Sequence, residues 1–252
     1  MANYENQPAR YGAPATGAVG AVDAGLRAHM LRVYNYMAIG LGLTGIFAYA
    51  TYALSFQDVG GQLVPTALGQ TLFGSPLMWV IIFAPVALVF FLSFRVHTMA
   101  VGTAQAVFWL YAALVGVSLA TIFVVYTADS ITQVFFITAA TFGAMSLWGY
   151  TTQRDLTGMG SFLFMGLIGI IIASIVNIFM ASSALGFAIS IIGVLVFTGL
   201  TAYDTQKIKE MYFAGDDDVV SGRKAIMGAL SLYLDFINLF LMLLRLFGQN
   251  RE

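Results

Sequence analysis

The sequence predicts an all-α membrane protein, built as a bundle of seven transmembrane helices. The first observation is composition: 60% of the 252 residues are hydrophobic and 9% are charged, against roughly 45–50% and about 25% in soluble domains. The second is that the apolar residues gather in runs of about 20, the length that crosses a bilayer as a helix. A soluble fold could not cover so much apolar surface with a polar exterior.

Seven apolar runs are long enough to span the membrane. They are longer than barrel strands and do not alternate between polar and apolar residues, which favours helices. The connections are short except at 55–76 and 207–224. We place the spans at about 31–54, 77–95, 104–126, 131–150, 159–180, 184–206 and 225–247.

Composition divides the chain into two parts. Residues 1–29 are polar and rich in Ala, Gly and Pro, which is typical of a disordered tail. Residues 30–248 form the predicted transmembrane domain. No cleavable signal peptide is expected, because the tail is longer than an n-region and the first apolar run is span-length.

The distribution of Lys and Arg predicts the orientation. With the N-terminus in the cytoplasm, nine of the 11 basic residues fall inside, and only Arg245 and Arg251 fall outside. Basic residues concentrate on the cytoplasmic side of membrane proteins. The asymmetry therefore predicts an odd number of spans and a C-terminus outside. A last span that dips in and returns would place the C-terminus inside instead.

The last predicted span, LSLYLDFINLFLMLLRL at 230–246, has a polar face. A charge at membrane depth costs at least about 2.5–3.5 kcal/mol. Asp235 is therefore predicted to face the bundle interior and to find a partner there. The residues that share its face recur every three or four positions: Gly228, Ser231, Asn238, Met242 and Arg245.

Two charged residues at the ends of other spans are candidate partners for Asp235, namely Asp204 and Arg95. Asp204 lies about 10 Å from the inner end of its helix and Asp235 about 15 Å from the inner end of the last span. The two carboxylates can therefore meet on antiparallel neighbours. Two close carboxylates cannot both ionise cheaply and would titrate as a unit.

The same groups suggest a pH-sensitive gate. Arg95 would bind Asp204 and latch the inner end shut, and protons or a cation on the aspartate pair would compete with that latch. Ionised, the pair offers hard oxygen ligands suited to calcium, although two carboxylates are an incomplete shell. Two structural alternatives stay open: Asp204 and Arg95 could be interfacial residues that snorkel, and Asp235 could hydrogen-bond two helices together.

Stripes of small residues mark several spans and predict close helix packing in lipid. Their spacing alone does not distinguish packing from a pore lining. In span 1 the stripe is Asn35, Ala38, Gly42, Gly45 and Tyr49, and in span 6 it includes Gly186, Ser190 and Gly193.

Two strings near the C-terminus, AYDTQKI at 202–208 and the last span, resemble the signature of the Bax inhibitor-1 family, which includes bacterial YccA-like proteins. The resemblance covers residues 31–247. It implies six helices around a central last helix, in the bacterial inner membrane. It also implies a pair of aspartates that senses pH and gates a calcium leak.

Matched by motif, that pair is Asp204 and Asp235, and both are the expected calcium ligands. Arg95 fits the family's latch arginine, and Arg245 fits a second position in the last span, with Ser231 and Asn238 as supporting polar groups. One departure bears on calcium. Some calcium-leaking members carry an acidic residue in span 2, where this chain has none and Pro85 interrupts the run.

The leading expectation is thus a pH-sensitive calcium leak without a bound cofactor beyond transient calcium. YccA-like members are also associated with restraining a membrane-bound ATP-dependent protease. The alternative is therefore a non-conducting modulator of such a protease, contacted through the polar tail. The expected partners are the lipid bilayer and such a protease. A net charge of −1 favours no nucleic acid, and the oligomeric state is not predicted.

An enzyme is not expected. An intramembrane aspartyl protease also carries two aspartates on neighbouring spans, but its second one follows a G-L-G string, whereas here it follows Tyr233-Leu234. The two histidines, His29 and His97, lie outside the predicted spans, so a rhomboid-like Ser–His pair is not available. With no cysteine in the chain, thiolate nucleophiles and Cys-based metal sites are excluded.

Overall fold

The computed structural model describes residues 16–251, with side chains described from residue 24. Within them, seven helices are long and apolar enough to cross a bilayer, which confirms the predicted fold class. Each predicted span coincides with one of these helices, the third extended by a short helix. They are α1 (Thr16–Ser55), α3 (Leu77–Arg95), α4 (Val101–Leu119) with α5 (Ile122–Val125), α6 (Ala128–Thr151), α7 (Thr157–Met180), α8 (Ser183–Glu210) and α9 (Asp218–Phe247).

The long connection after α1 contains a β-hairpin and a short helix. Strands β1 (Phe56–Val59) and β2 (Gln62–Pro65) pair antiparallel, and α2 (Ala67–Phe73) follows. The turn is Gly60-Gly61, both with positive φ. Two-residue hairpin turns of this kind need left-handed backbone, which glycine adopts without steric cost.

The first helix begins earlier than predicted. Residues 16–29 belong to α1, so the boundary of the predicted tail at residue 29 is wrong. This stretch is rich in Ala, the best helix former, and its end is anchored: His29 is buried, and Gly25 lies directly under the hydroxyl of Tyr212. Residues 1–15 of the predicted tail lie outside the described residues.

The last helix is the centre of the bundle. In α9, 67% of the most apolar segment is buried, compared with 11% in α3 and in α7. Helices α1, α4, α6 and α8 pack directly against α9, while α3 lies against α4 and α7 lies against α8. The expected arrangement around a central last helix is therefore confirmed, and it places Asp235 in the interior.

Two glycines bring helix backbones into close contact. A Cβ on Gly116 of α4 would lie 2.5 Å from the carbonyl oxygen of Thr44, and one on Gly149 of α6 would lie 2.2 Å from that of Ala202 on α8. The small-residue stripe predicted for span 1 is not such a surface. Its members Gly42 and Gly45 are exposed, and a Cβ added at either would meet nothing within 4 Å, so the stripe faces lipid.

The two ends of the described chain lie at opposite ends of the bundle. After α9 the chain pairs with the start of α6: the Thr127 N–H donates to the Gln249 carbonyl at 3.0 Å, and the Arg251 N–H donates to the Val125 carbonyl at 2.9 Å. The basic residues that begin α1 and α9 and end α3 and α8 lie at the other end. The last helix is therefore continuous from the basic end of the bundle to the end where α6 begins.

Candidate functional site

A groove of ≈ 1000 Å³ lies between α3, α7, α8 and α9. Along α7 its lining extends from Gly160 to Ile178, a rise of about 27 Å for 18 residues, which is close to the roughly 30 Å thickness of the hydrocarbon core. Most of the wall is apolar, with Phe90 and Phe164 among its aromatic members. The groove exists because α3 and α7 each pack against a neighbour of α9 and leave a gap between them.

Asp204 and Asp235 meet at the floor of this groove. Their carboxyl groups are close enough to interact with each other, as their depths along the two helices allow. Asp235 is 4% exposed, and its Oδ2 atom is buried without a hydrogen-bond partner in the described part of the protein. A hydrogen bond between two carboxyl groups needs a proton on one of them, so this contact is sensitive to protonation.

The predicted polar stripe of α9 divides between two cavities. Ser231 and Asn238 line the aspartate groove, and the Asn238 amide donates to the Leu234 carbonyl of its own helix at 2.8 Å. Arg245 is exposed and lines a different cavity, towards the C-terminal end of α9. Ser231 and Asn238 are thus beside the aspartates, and Arg245 is not.

The predicted latch between Arg95 and Asp204 is not formed. Arg95 is exposed at the end of α3 and does not line the groove. Within residues 24–251, the ion pair that is formed joins Lys224 to Asp216. The basic residue that lines the groove together with Asp204 is Lys207, one helical turn further along α8. The i, i+3 spacing of Asp204 and Lys207 is a sequence signal for this pair.

Each neighbour of Asp204 in the string YDTQ fixes α8 to another helix. The Tyr203 ring lies over Gly160 of α7, where a Cβ would come within 2.4–2.6 Å of ring atoms. The Thr205 hydroxyl contacts the Ser146 hydroxyl of α6 at 2.9 Å, and Ser146 contacts the Tyr34 hydroxyl of α1 at 2.6 Å. Asp204 is therefore held on a helix that is tied to three sides of the bundle.

Gln206 completes this string by holding the loop between α6 and α7. Its Oε1 accepts a hydrogen bond from the Leu156 N–H at 2.8 Å, and its Nε2 donates to the Arg154 carbonyl at 2.8 Å. Lys209 adds a hydrogen bond to the Tyr150 carbonyl at 2.9 Å. Because backbone groups of the loop are satisfied by α8, the loop and α8 form one unit.

A buried polar contact made by Tyr233, on the other side of α9 from Asp235, also fixes the position of this helix. Tyr233 is fully buried, and its hydroxyl lies 2.6 Å from the Thr44 hydroxyl of α1. Thr44 reaches the Ala112 carbonyl of α4 at 2.9 Å. This contact joins three helices and fixes the rotation of α9, which directs Asp235 toward α8.

A cation would find few acidic ligands in the groove. No group of three or more His, Cys, Asp or Glu residues that could hold a metal ion occurs in residues 16–251. Calcium takes 6–8 oxygen ligands, so the two carboxylates would be supplemented by neutral oxygens and water. The two carboxylates alone therefore do not complete a calcium shell.

Comparison with known proteins identifies the family. The family model described as "Inhibitor of apoptosis-promoting Bax1" matches residues 26–252, and the chain belongs to this Bax inhibitor-1 family. Its relatives include the inner membrane protein YbhL of Escherichia coli, 49% identical over 231 residues, which are 90% of this chain and 94% of that protein. The protein is thus an integral membrane protein of this family.

Two further relatives are similar over nearly the whole chain. An uncharacterized protein of Rickettsia prowazekii is 51% identical over 232 residues, 91% of this chain and 93% of the relative. Another, from Caulobacter vibrioides, is 48% identical over 246 residues, 95% of each chain.

Proposed function

We propose that this protein is a pH-sensitive cation leak pathway of the bacterial inner membrane, gated by Asp204 and Asp235, with calcium as the expected cation. The observation that carries the proposal is the meeting of two carboxyl groups at the floor of a groove that follows α7 for most of the membrane thickness. Intramembrane ionisable residues mark ion or proton pathways more often than they serve packing.

The gate works through the proton that the two carboxyl groups share. With one proton, the pair hydrogen-bonds and ties α8 to α9 beneath the groove. When that proton leaves, two carboxylates repel each other and present hard oxygen ligands to a cation. Cation flux is therefore expected to rise with pH. Lys207 supports the ionised form of Asp204, because an opposite charge nearby favours ionisation.

The inner end of the pathway lies at the basic end of the bundle, where Lys207 lines the groove. We place this end in the cytoplasm by the positive-inside rule, and the C-terminus outside. The negative pair within the groove attracts cations and repels anions, as acidic side chains do in cation channels.

The test is calcium flux into proteoliposomes over about pH 5 to 8, a range in which a shared carboxyl proton can exchange. The wild type is compared with Asp204→Asn, Asp235→Asn and the double variant. The matched control is Asp218→Asn, which makes the same change at an exposed position in the first turn of α9. We expect pH-dependent flux in the wild type and the control, and flux without this dependence in the double variant.

A folded wild-type protein that gives no flux above empty liposomes at any pH would overturn the proposal. The aspartates would then be structural. The function to test next would be modulation of a membrane-bound ATP-dependent protease, measured as protease activity with and without this protein.

A further inference from the structure

A second cavity continues the line of the aspartate groove toward the C-terminal end of α9. Its volume is ≈ 690 Å³, and it is lined by Ser183, Gly186, Ser190 and Arg245, among others. We call it the Arg245 vestibule. Along α9, Asp235 and Asn238 face the groove and Arg245 faces the vestibule. Because these residues recur every three or four positions, one face of α9 passes both cavities.

The facing surface of α8 shows the same order in reverse. Asp204, Leu200 and Phe197 line the groove, and Ser190 and Gly186 line the vestibule. Helices α8 and α9 are antiparallel neighbours that pack along their length. The two cavities therefore lie in line along one helix–helix seam, with Gly193 between them on the α8 side.

Met242 occupies the position between the two cavities. Its side chain is 8% exposed, and a Cβ on Gly193 would lie 2.8 Å from both its Cγ and its Sδ. A larger residue at 193 would therefore displace the methionine, so Met242 packs directly on Gly193 and is described below as seated on it. Met242 itself is the last α9 residue that lines the aspartate groove.

We propose that Met242, seated on Gly193, is an apolar plug that separates the aspartate groove from the Arg245 vestibule. The inference rests on the proposed cation leak, whose path would run along this seam. Hydrophobic constrictions close channels because water and ions do not stay in them. Methionine suits this role, since its unbranched side chain has three rotatable bonds and moves without disturbing the backbone.

The charges beside the plug fit a slow leak. The groove side carries the aspartate pair, which attracts cations. The vestibule carries the Arg245 guanidinium, and a positive charge in a pore wall is a barrier to cations. Removal of the plug would join two water-accessible cavities and leave the charge of Arg245 as the remaining barrier on the vestibule side.

Cysteine labelling tests the plug without reference to ion flux. The chain has no cysteine, so Asn238→Cys and Ser183→Cys, the latter at an exposed residue of the vestibule, each introduce a unique thiol, one on either side of Met242. A charged, membrane-impermeant thiosulfonate is applied to one face of sealed vesicles. Ser183→Cys, in the vestibule, reports which face is the vestibule side.

From the vestibule side we expect Ser183→Cys to react whichever residue is at 242. Asn238→Cys is expected to react about tenfold faster or more when combined with Met242→Ala, because opening a hydrophobic constriction admits water and the charged reagent. Met242→Leu, which keeps the side-chain volume, should restore protection. Met165→Ala removes an exposed methionine of α7 and should change nothing.

Equal labelling of Asn238→Cys whether position 242 carries methionine, leucine or alanine would overturn the plug, provided that each variant elutes as a single folded species. Calcium flux then separates this inference from the proposed function. If the labelling rate of Asn238→Cys depends on residue 242 but no variant conducts calcium, the plug is supported and the leak is refuted. If calcium flux depends on pH but the labelling rate of Asn238→Cys is the same for every residue at 242, the plug is refuted and the leak is supported.

Discussion

The contact between Gly149 and Ala202 gives a sharp test of how α8, and with it Asp204, is positioned. A Cβ added at Gly149 would lie 2.2 Å from the Ala202 carbonyl oxygen and 2.8 Å from its Cα. Ordinary van der Waals contact begins at 3.4 Å. The obstructing atoms belong to the backbone and cannot rotate away. Gly149→Ala therefore forces α6 and α8 apart by roughly 1 Å, the difference between the 2.2 Å approach and ordinary contact at 3.4 Å.

The expected cost follows from this displacement. Overpacking a close contact costs about 1–3 kcal/mol. The change to Ala also favours the helix by about 1 kcal/mol. Gly143→Ala makes the same change on α6 at an exposed position with nothing within 4 Å of the added Cβ. The helix-propensity gain is common to both variants, so Gly149→Ala should be the less stable of the two by about 1–3 kcal/mol.

The assay is SDS-induced unfolding of both purified variants and the wild type in mixed micelles. Because the two variants differ only in the position of one methyl group, their difference isolates the α6–α8 contact. Stabilities that agree to within about 0.5 kcal/mol, the usual range for a surface substitution, would refute the close approach of these helices.

Three further substitutions test the surroundings of the aspartate pair. Tyr233→Phe removes the hydroxyl that contacts Thr44. It should lower the free energy of unfolding by about 0.6–1.7 kcal/mol, the range measured for hydrogen bonds between membrane helices. The control Tyr49→Phe, at an exposed ring, should leave the free energy of unfolding unchanged. Gln206→Leu removes both hydrogen bonds to the α6–α7 loop and should speed trypsin cleavage after Arg154, and unchanged cleavage would contradict the clamp. Lys207→Gln should move the pH profile of calcium flux to higher pH by removing the cation beside Asp204, whereas Arg95→Gln should leave it in place; the reverse result would favour the latch.

The spans and the aspartate pair could be predicted because both follow from the cost of burial in lipid. A run of about 20 apolar residues has one stable arrangement in a bilayer, and a carboxylate within such a run has to face protein rather than lipid. The positions of Asp204 and Asp235 along antiparallel helices then limited the depth at which they could meet.

Which apolar face packs against protein could not be predicted for span 1. Lipid tails are as apolar as leucine, so no hydrophobic pattern separates a lipid-facing stripe from a packed one. Gly42 and Gly45 face outward for this reason without any sequence signal, while Gly40 and Thr44 face the core. The extent of α1 was missed because residues 16–29 contain glycines and polar residues as well as alanines.

The partner of Asp204 was missed for a different reason. The sequence places both Arg95 and Lys207 at the inner end of the membrane, and length alone lets either reach the carboxylate. The choice depends on where α3 packs. Since α3 lies against α4, Arg95 ends outside the groove, and Lys207, on the same helix as Asp204, stays beside it. The sequence placed Met242 on the same face as Asp235, but its contact with Gly193 depends on how α8 packs against α9.

The most direct measurement records calcium flux and the infrared band of a protonated carboxyl group on the same proteoliposomes during one pH titration. We expect the band to disappear over the same pH interval in which flux rises, by at most about tenfold per pH unit for one exchanged proton, and the double variant, Asp204→Asn with Asp235→Asn, to lose both changes. Flux that rises while the band is constant, or a band that disappears while flux is constant, would contradict the claim that a proton shared by Asp204 and Asp235 controls the pathway.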